Sequence, residues 1–268
     1  MSTPDAPATR RPRAGPVKAR PLAEMTWPAA AELSDALLVV PLGATEQHGP
    51  HLPLGTDTLV AAAVCRELAG RERAGRELAG KSSRVTVAPA LPYGSSGEHA
   101  GFPGTLSIGQ DALETIVVEL VRSADRWAGT VLVSGHGGNA EPLTRAVETS
   151  TADGRRALAW WPVADVLTGI LDSERWSADA HAGRVETSLL LHLAPALVGG
   201  PPSPCRGVRP APLSEIGAAL RAHGVAPVSP TGVLGDPAGA SAAEGAAILA
   251  AYVADLESRI ARWQGTWA

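Results

Sequence analysis

The sequence predicts an α/β fold: a single layered domain with a mostly parallel sheet flanked by helices. Three observations carry that expectation. Apolar runs recur along the chain, and each ends in a turn followed by a helical pattern. The runs are continuous rather than alternating, as in strands buried on both faces. The 268 residues are 45% hydrophobic and 19% charged, which supports a sizeable core and argues against disorder.

In chain order, residues 1–21 come first. They are rich in Arg, Pro and Ala, with Arg10, Arg11, Arg13, Lys18 and Arg20 against Asp5. They lack the apolar stretch of a secretory signal, and their prolines oppose an amphipathic helix. They read as a disordered tail before one domain spanning 22–268. The strand-like runs are Ala36–Leu42, Arg84–Leu91, Thr130–Ser134 and Ala157–Val163. Each is ended by Gly, Pro or Asp: Gly43, Pro92 with Gly94, Gly135, and the Asp165 region. After the second run, Leu113, Ile116, Val117, Leu120, Val121 and Ala124 recur at helical spacing and predict one apolar stripe. Residues 66–80 hold three near-copies of Arg-Glu-(Leu/Arg)-Ala-Gly, a period matching neither helix nor strand, and read as a solvated extension. Residues 199–240 are rich in Pro and Gly and predict ordered loop around a short helix at Leu213–Arg221. Ser241 with Glu244 forms a capping box that starts a helix running to about Gln264.

Composition excludes several classes. A net charge of −4 and a pI near 6.0 argue against a nucleic-acid binder. Cys65 and Cys205 form neither a disulfide framework nor a thiolate zinc site, and fit a reducing cytoplasm. The longest apolar stretch, Ser188–Val198, is interrupted by His192 and Pro195. It falls short of the ~20 residues a membrane span needs.

The seven histidines are unevenly placed. His48, His51, His99, His136 and His181 fall in Gly-rich turns, mostly just beyond a predicted strand, where loops of a parallel sheet converge on one crevice. His192 and His223 lie in helix-like surroundings and read as structural or surface residues. Three clusters stand out. In Thr45–His51, Glu46 and His48 are two apart and point the same way in extended backbone. Asp57 follows at a helix start, where free backbone N–H groups orient a carboxylate. A carboxylate and an imidazole on one face suit zinc, manganese or iron. The same residues also fit a hydrogen-bonded loop with Asp57 as a cap. In Val133–Asn139, glycines on both sides of His136 allow close backbone approach, though a plain turn does too. In Asp179–Ser188, Glu186 enters a buried helix, where a capping or salt-bridge role is the bland reading. Three clusters at equivalent ends of one layer favour a shared site.

The run Pro41-Leu42-Gly43-Ala44-Thr45-Glu46-Gln47-His48-Gly49-Pro50-His51-Leu52-Pro53, with Asp57 behind it, resembles the signature of the creatininase family of metal amidohydrolases. The resemblance continues through Ser96–Thr105, His136–Asn139, His181–Ser188 and Ser229–Pro237, and covers the chain from about Leu22 to Trp267. It implies a creatininase-like fold and two divalent ions (zinc, iron or manganese). Asp57 would bridge them, with Glu46 and His136 on one side and His48 and Glu186 on the other. It implies His181 as general acid for the leaving nitrogen. His51, Glu98 and His99 are expected to orient the ligands or to contact substrate, and Trp160, Trp161 and Trp176 are candidates either to wall the pocket or to pack in the core. A homo-oligomer, hexamer-like by family, is also implied.

One departure bears on substrate. In creatinine amidohydrolase the His matching His136 is followed two places later by a metal-binding Glu, and here that place is Gly138. Glu186 is the natural substitute. Segments Glu98–Ile108, Asp179–Leu191 and Ser229–Ala240 are most similar to a peptide-processing branch. That branch cuts a modified precursor peptide and releases the unit built from its C-terminal Val-Tyr pair, in maturation of a peptide-derived redox cofactor. Two other readings stay open: hydrolysis of creatinine or another cyclic amide, and a non-catalytic metal-dependent binding protein.

Overall fold

The structure, a computed structural model, describes residues 21–73, 84–171, 178–199 and 211–267. All but the last residue of the expected tail, residues 74–80 of the five-residue repeat, Trp176 and Cys205 lie outside the described residues.

Four strands form one sheet: β1 (Leu37–Leu42), β2 (Val85–Val87), β3 (Gly129–Ser134) and β4 (Ala157–Trp160). Their order is β2-β1-β3-β4, and every pairing is parallel. Seven α-helices among the described residues accompany them: α1 (Trp27–Ala31), α2 (Thr56–Arg73), α3 (Gln110–Ser123), α4 (Ala140–Ala152), α5 (Arg184–Leu193), α6 (Leu213–His223) and α7 (Ala242–Gly265). No helix among the described residues is long and apolar enough to cross a membrane.

The continuous apolar runs are explained by two cores. Successive strand side chains leave opposite faces. Leu37, Val39, Val131 and Val133 therefore pack against Val64 and Leu68 of α2, Leu189 and Leu190 of α5, and Ile248 and Leu256 of α7. Leu38, Val40, Leu42 and Leu132 pack on the other face against Leu113, Val117 and Val121 of α3 and Leu143 of α4. Full burial of each such side chain contributes about 1.5–3 kcal/mol before the entropy of ordering it is counted.

Four expectations are corrected. Residues 66–73, expected in a solvated extension, continue α2, and Leu68 and Ala69 are buried in the core. The second strand was expected to reach Leu91 but pairs regularly only over Val85–Val87. Alternate residues of β1 face β2, and the one after Val39 is Pro41, which has no N–H to offer Ala88 O, so the ladder breaks there. Contact resumes where Leu91 N donates to Pro41 O at 2.9 Å and Gly43 N donates to Leu91 O at 3.0 Å. The fourth strand stops at Trp160, whose partner Val133 is the last residue of β3 that β4 pairs with; Pro162 follows. The α3 stripe is rotated. Val118 is buried, whereas Ile116 and Leu120 are 36% and 38% exposed, because α3 packs on α4 as well as on the sheet.

At α7, Ser241 Oγ accepts from Glu244 N at 3.2 Å, as the capping box predicts. The Glu244 carboxylate also takes Arg184 Nε at 2.8 Å and Ser188 Oγ at 2.7 Å. The start of α7 is thereby tied to α5, the helix that carries Glu186.

Candidate metal centre

The site lies beyond the carboxyl ends of β1 and β3. Glu46 and His48 come from the loop leaving β1, Asp57 from the first turn of α2, His136 from the turn leaving β3, and Glu186 from the first turn of α5. The turn leaving β3 passes close to α2: a Cβ on Gly135 would stand 2.2 Å from Asp57 O, so only glycine fits. Glu186 Oε2 accepts from Ala182 N at 2.6 Å. Ala182 has φ 51°, a left-handed conformation costing about 1 kcal/mol or more, held so that its N–H meets this carboxylate.

Asp57 stands between two histidines. Its Oδ1 is 3.0 Å from His48 Nε2, and its Oδ2 is 3.5 Å from His136 Nδ1. Glu186 Oε2 lies 3.9 Å from His48 Nε2, and Glu46 Oε1 lies 3.3 Å from His136 Nδ1. Both rings are oriented from behind by backbone carbonyls. His48 Nδ1 donates to Glu46 O at 3.1 Å, and His136 Nε2 donates to Ser95 O at 2.9 Å. The opposite nitrogens therefore turn towards the carboxylates, as in metal-ligating histidines.

The donor set fits divalent cations. Glu46 Oε1 and Oε2 and Asp57 Oδ2 are buried, with no hydrogen-bond partner among the described residues. Buried carboxylate oxygens left unpaired are costly, and a cation relieves the cost. Electrostatics agrees. Burial alone would lower the pKa of His48, but Asp57, then Glu186 and Glu46, outweigh it and raise it to about 10. Burial likewise opposes protonation of His136, and Glu46, Asp57 and Glu98 outweigh it to about 10. Burial raises Asp57. Burial also acts to raise Glu46, yet His136, His99 and His181 leave it well below the usual carboxylate range. Protons and divalent cations compete for the same places.

The remaining candidates divide. His181 is buried, its Nε2 2.7 Å from Gln47 O and its Nδ1 3.8 Å from Glu46 Oε1. His99 Nε2 lies 3.3 Å from Glu46 Oε1; burial lowers its pKa to about 3, so the ring is neutral. Glu98 lies behind His136, with Oε1 3.6 Å from the Nε2 that faces away from Asp57. His51 does not reach the carboxylates: its Nε2 is 2.9 Å from Thr187 Oγ1, where it braces α5. Trp160 is core, edge-on to Tyr252 and donating to Asp255 at 2.7 Å, so it does not wall the pocket. Trp161 does, lining a cavity of about 460 Å³ with Pro162, His181, Glu186, Leu189 and Tyr252.

Gly138 has no room for a side chain. A Cβ there would stand 2.4 Å from His136 Nε2 and 2.6 Å from both Glu98 Oε1 and Ser95 O.

Three residues that sequence reasoning did not single out support the site. Asn139 Oδ1 accepts from Ser95 N at 2.9 Å, while its Nδ2 donates to Gly43 O at 3.0 Å, joining the loops after β1, β2 and β3. Asp179 accepts from Arg184 N at 3.1 Å and Val185 N at 2.8 Å, capping α5 just ahead of Glu186. Gln47 lies between the two imidazoles of His99 and His181. An Asn three residues after a loop His and an Asp ahead of a buried helix are the local signals that could have marked the first two.

The chain belongs to the creatininase family: the family described as "Creatininase: Creatinine amidohydrolase" matches residues 23–260. It is 49% identical over 227 residues to the mycofactocin precursor peptide peptidase of Mycobacterium tuberculosis (strain CDC 1551 / Oshkosh), covering 84% of this chain and 85% of that one. Identity to the creatinine amidohydrolase of Pseudomonas putida is lower, 31% over 202 residues, covering 65% of this chain and 72% of that one. Among solved structures, creatininase Mn and a mutant creatininase of Zn-Zn type each superpose with TM-score 0.64 at 26% identity. Each match covers 89% of this chain and 96% of the other.

Proposed function

We propose that this protein is a dinuclear metal-dependent peptidase that cuts the modified mycofactocin precursor peptide and releases its C-terminal Val-Tyr-derived unit. The observation that carries the chemistry is the pair of half-sites sharing Asp57. Glu46, His136 and Asp57 would hold one divalent ion, and His48, Asp57 and Glu186 the other. Such ions supply a water of lowered pKa and polarise the scissile carbonyl. The peptide substrate is supported by the greater identity to the mycofactocin precursor peptide peptidase than to the creatinine amidohydrolase. Gly138 supports it too, since a carboxylate cannot occupy that position here.

The chain's own residues handle the proton. His181 holds its Nε2–H on Gln47 O and turns Nδ1 towards the carboxylates. As the water oxygen bonds to the carbonyl carbon, Nδ1 takes a proton from that water, and as the C–N bond breaks it passes the same proton to the leaving nitrogen. Trp161, Leu189 and Pro162 give the adjoining cavity apolar walls that exclude water from part of the substrate.

The reading includes two ions of zinc, iron or manganese per chain, a cytoplasmic setting compatible with the buried free thiol of Cys65, and a homo-oligomer, hexamer-like. Exposed Trp27, Leu106 and Leu197 are apolar surface that such an assembly would cover. Mass spectrometry of the maturase-treated precursor before and after incubation with the metal-loaded protein tests the substrate. Release of the C-terminal unit, with little creatinine hydrolysis, is expected. Intact precursor beside brisk creatinine turnover would overturn the substrate while leaving the metal centre standing.

A further inference from the structure

Gln47 stands between Glu46 and His48 in the chain, yet its carboxamide contacts neither of their side-chain ends. Oε1 accepts from Gly49 N at 2.9 Å, and Nε2 donates to Gly232 O at 3.1 Å. One partner can only donate and the other can only accept, so the amide orientation is settled. Nε2 has a second hydrogen, and His99 Nδ1 lies 2.8 Å away to receive it. Nδ1 of His99 therefore carries the lone pair and Nε2 the proton. That Nε2 is the atom facing Glu46 Oε1 at 3.3 Å.

His181 is settled by the same residue. Its Nε2 lies 2.7 Å from Gln47 O, a contact that requires a proton between them. Gln47 Nε2 is 3.0 Å from the same ring atom, but both its hydrogens are already placed. The seat is closely built. Gly232 has φ +80°, and a Cβ on it would stand 1.7 Å from Gln47 Oε1, so any side chain at 232 would evict the amide.

Distance alone would admit another ion here, because Glu46, His99 and His181 offer ligand atoms within 4.8 Å of one another. A ring nitrogen that holds a proton cannot ligate. We propose that Gln47 is a positioning residue that fixes His99 as the Nε2–H tautomer. It thereby keeps His99 out of the metal set, turning an N–H rather than a lone pair towards Glu46. His48 and His136 are oriented by backbone carbonyls so that a metal ion displacing their second proton would meet a lone pair; His99 is oriented by a side-chain donor to present a proton.

The proposal rests on the proposed metal centre only for its consequence, since the tautomer is readable with and without metal. The experiment is nitrogen NMR on protein carrying ¹⁵N-histidine, metal-free and then zinc-loaded, with the His99 signals assigned by their loss in His99→Gln. His99 should show a pyridine-type Nδ1 and a protonated Nε2 in both states. Zinc should shift His48 Nε2 and His136 Nδ1 but not His99 Nε2. In Gln47→Glu the new carboxylate can only accept, so the His99 proton should move to Nδ1, and zinc per chain should rise above wild type. A wild-type His99 protonated on Nδ1, or shifted by zinc at Nε2, overturns the proposal even if Gln47→Glu does not fold. A folded Gln47→Glu protein with the His99 tautomer unchanged also overturns it. If zinc shifts none of the histidines, the metal centre fails while the tautomer assignment is decided separately.

Discussion

Asp57 presents one carboxylate oxygen to each of two histidines, Oδ1 to His48 Nε2 at 3.0 Å and Oδ2 to His136 Nδ1 at 3.5 Å. A carboxylate buried in this way divides the site into two halves that share it. Each half has its own second carboxylate, Glu186 beside His48 and Glu46 beside His136. The consequences differ for each residue and can be measured separately.

Glu186→Gln should lower metal content on the His48 side and reduce activity with it. Loss of groups that merely orient ligands commonly costs about 10–100-fold in metal affinity or activity, so loss of a ligand should cost at least about 10-fold. Glu141→Gln is the control, since Glu141 is exposed and paired with Arg145 Nη1 at 2.9 Å. Elemental analysis and turnover on both variants check this. Equal losses, or none in either, would mean that Glu186 is not a ligand.

His181→Ala should keep its metal and lose turnover by about 10²–10⁴-fold, the usual contribution of a positioned proton donor. Metal content measured beside rate decides it. A fall in metal that matches the fall in rate would make His181 a ligand.

Metal uptake at pH 7 should release protons. Asp57 and Glu46 lead the neighbours that hold His48 and His136 near 10 against the opposing effect of burial, so both rings are protonated at pH 7 in the metal-free protein. Apparent affinity should therefore rise with pH up to about 10. Zinc calorimetry in two buffers of different ionisation enthalpy reads the released protons. Identical heats in both would contradict the assignment.

Asp179 governs stability through the start of α5. Burial pushes its carboxyl up to about 7, beyond what the Val185 and Arg184 N–H groups recover, and Glu186 and Asp236 add to the rise. A carboxyl whose folded pKa is raised stabilises the fold below its unfolded value near 4, and that contribution is lost as pH rises through about 7. Asp179→Asn should flatten this dependence, and the difference in Tm between pH 5 and pH 8 should shrink. An unchanged difference would remove Asp179 from the account.

Much of this was legible in the chain because it is local. The i, i+2 spacing of Glu46 and His48, the glycines around His136 and the Ser241–Glu244 cap each state a backbone geometry within a few residues. The continuous apolar runs state a sheet covered on both faces. What was hidden depends on distant partners. Gln47 meets residues 52, 134 and 185 positions away, so nothing beside it marks its role. The exposure of Ile116 and Leu120 follows from where α4 lies, which the period of α3 does not contain. The early end of β2 was within reach, since Pro41 interrupts the run that it pairs with.

The most direct measurement is the metal content of Asp57→Ala beside the wild type, by elemental analysis after zinc loading and gel filtration. A shared Asp57 predicts two ions per wild-type chain and loss of both in the variant, because each half-site loses a ligand at once. An Asp57→Ala protein that remains folded and as fully loaded as the wild type would contradict the shared centre.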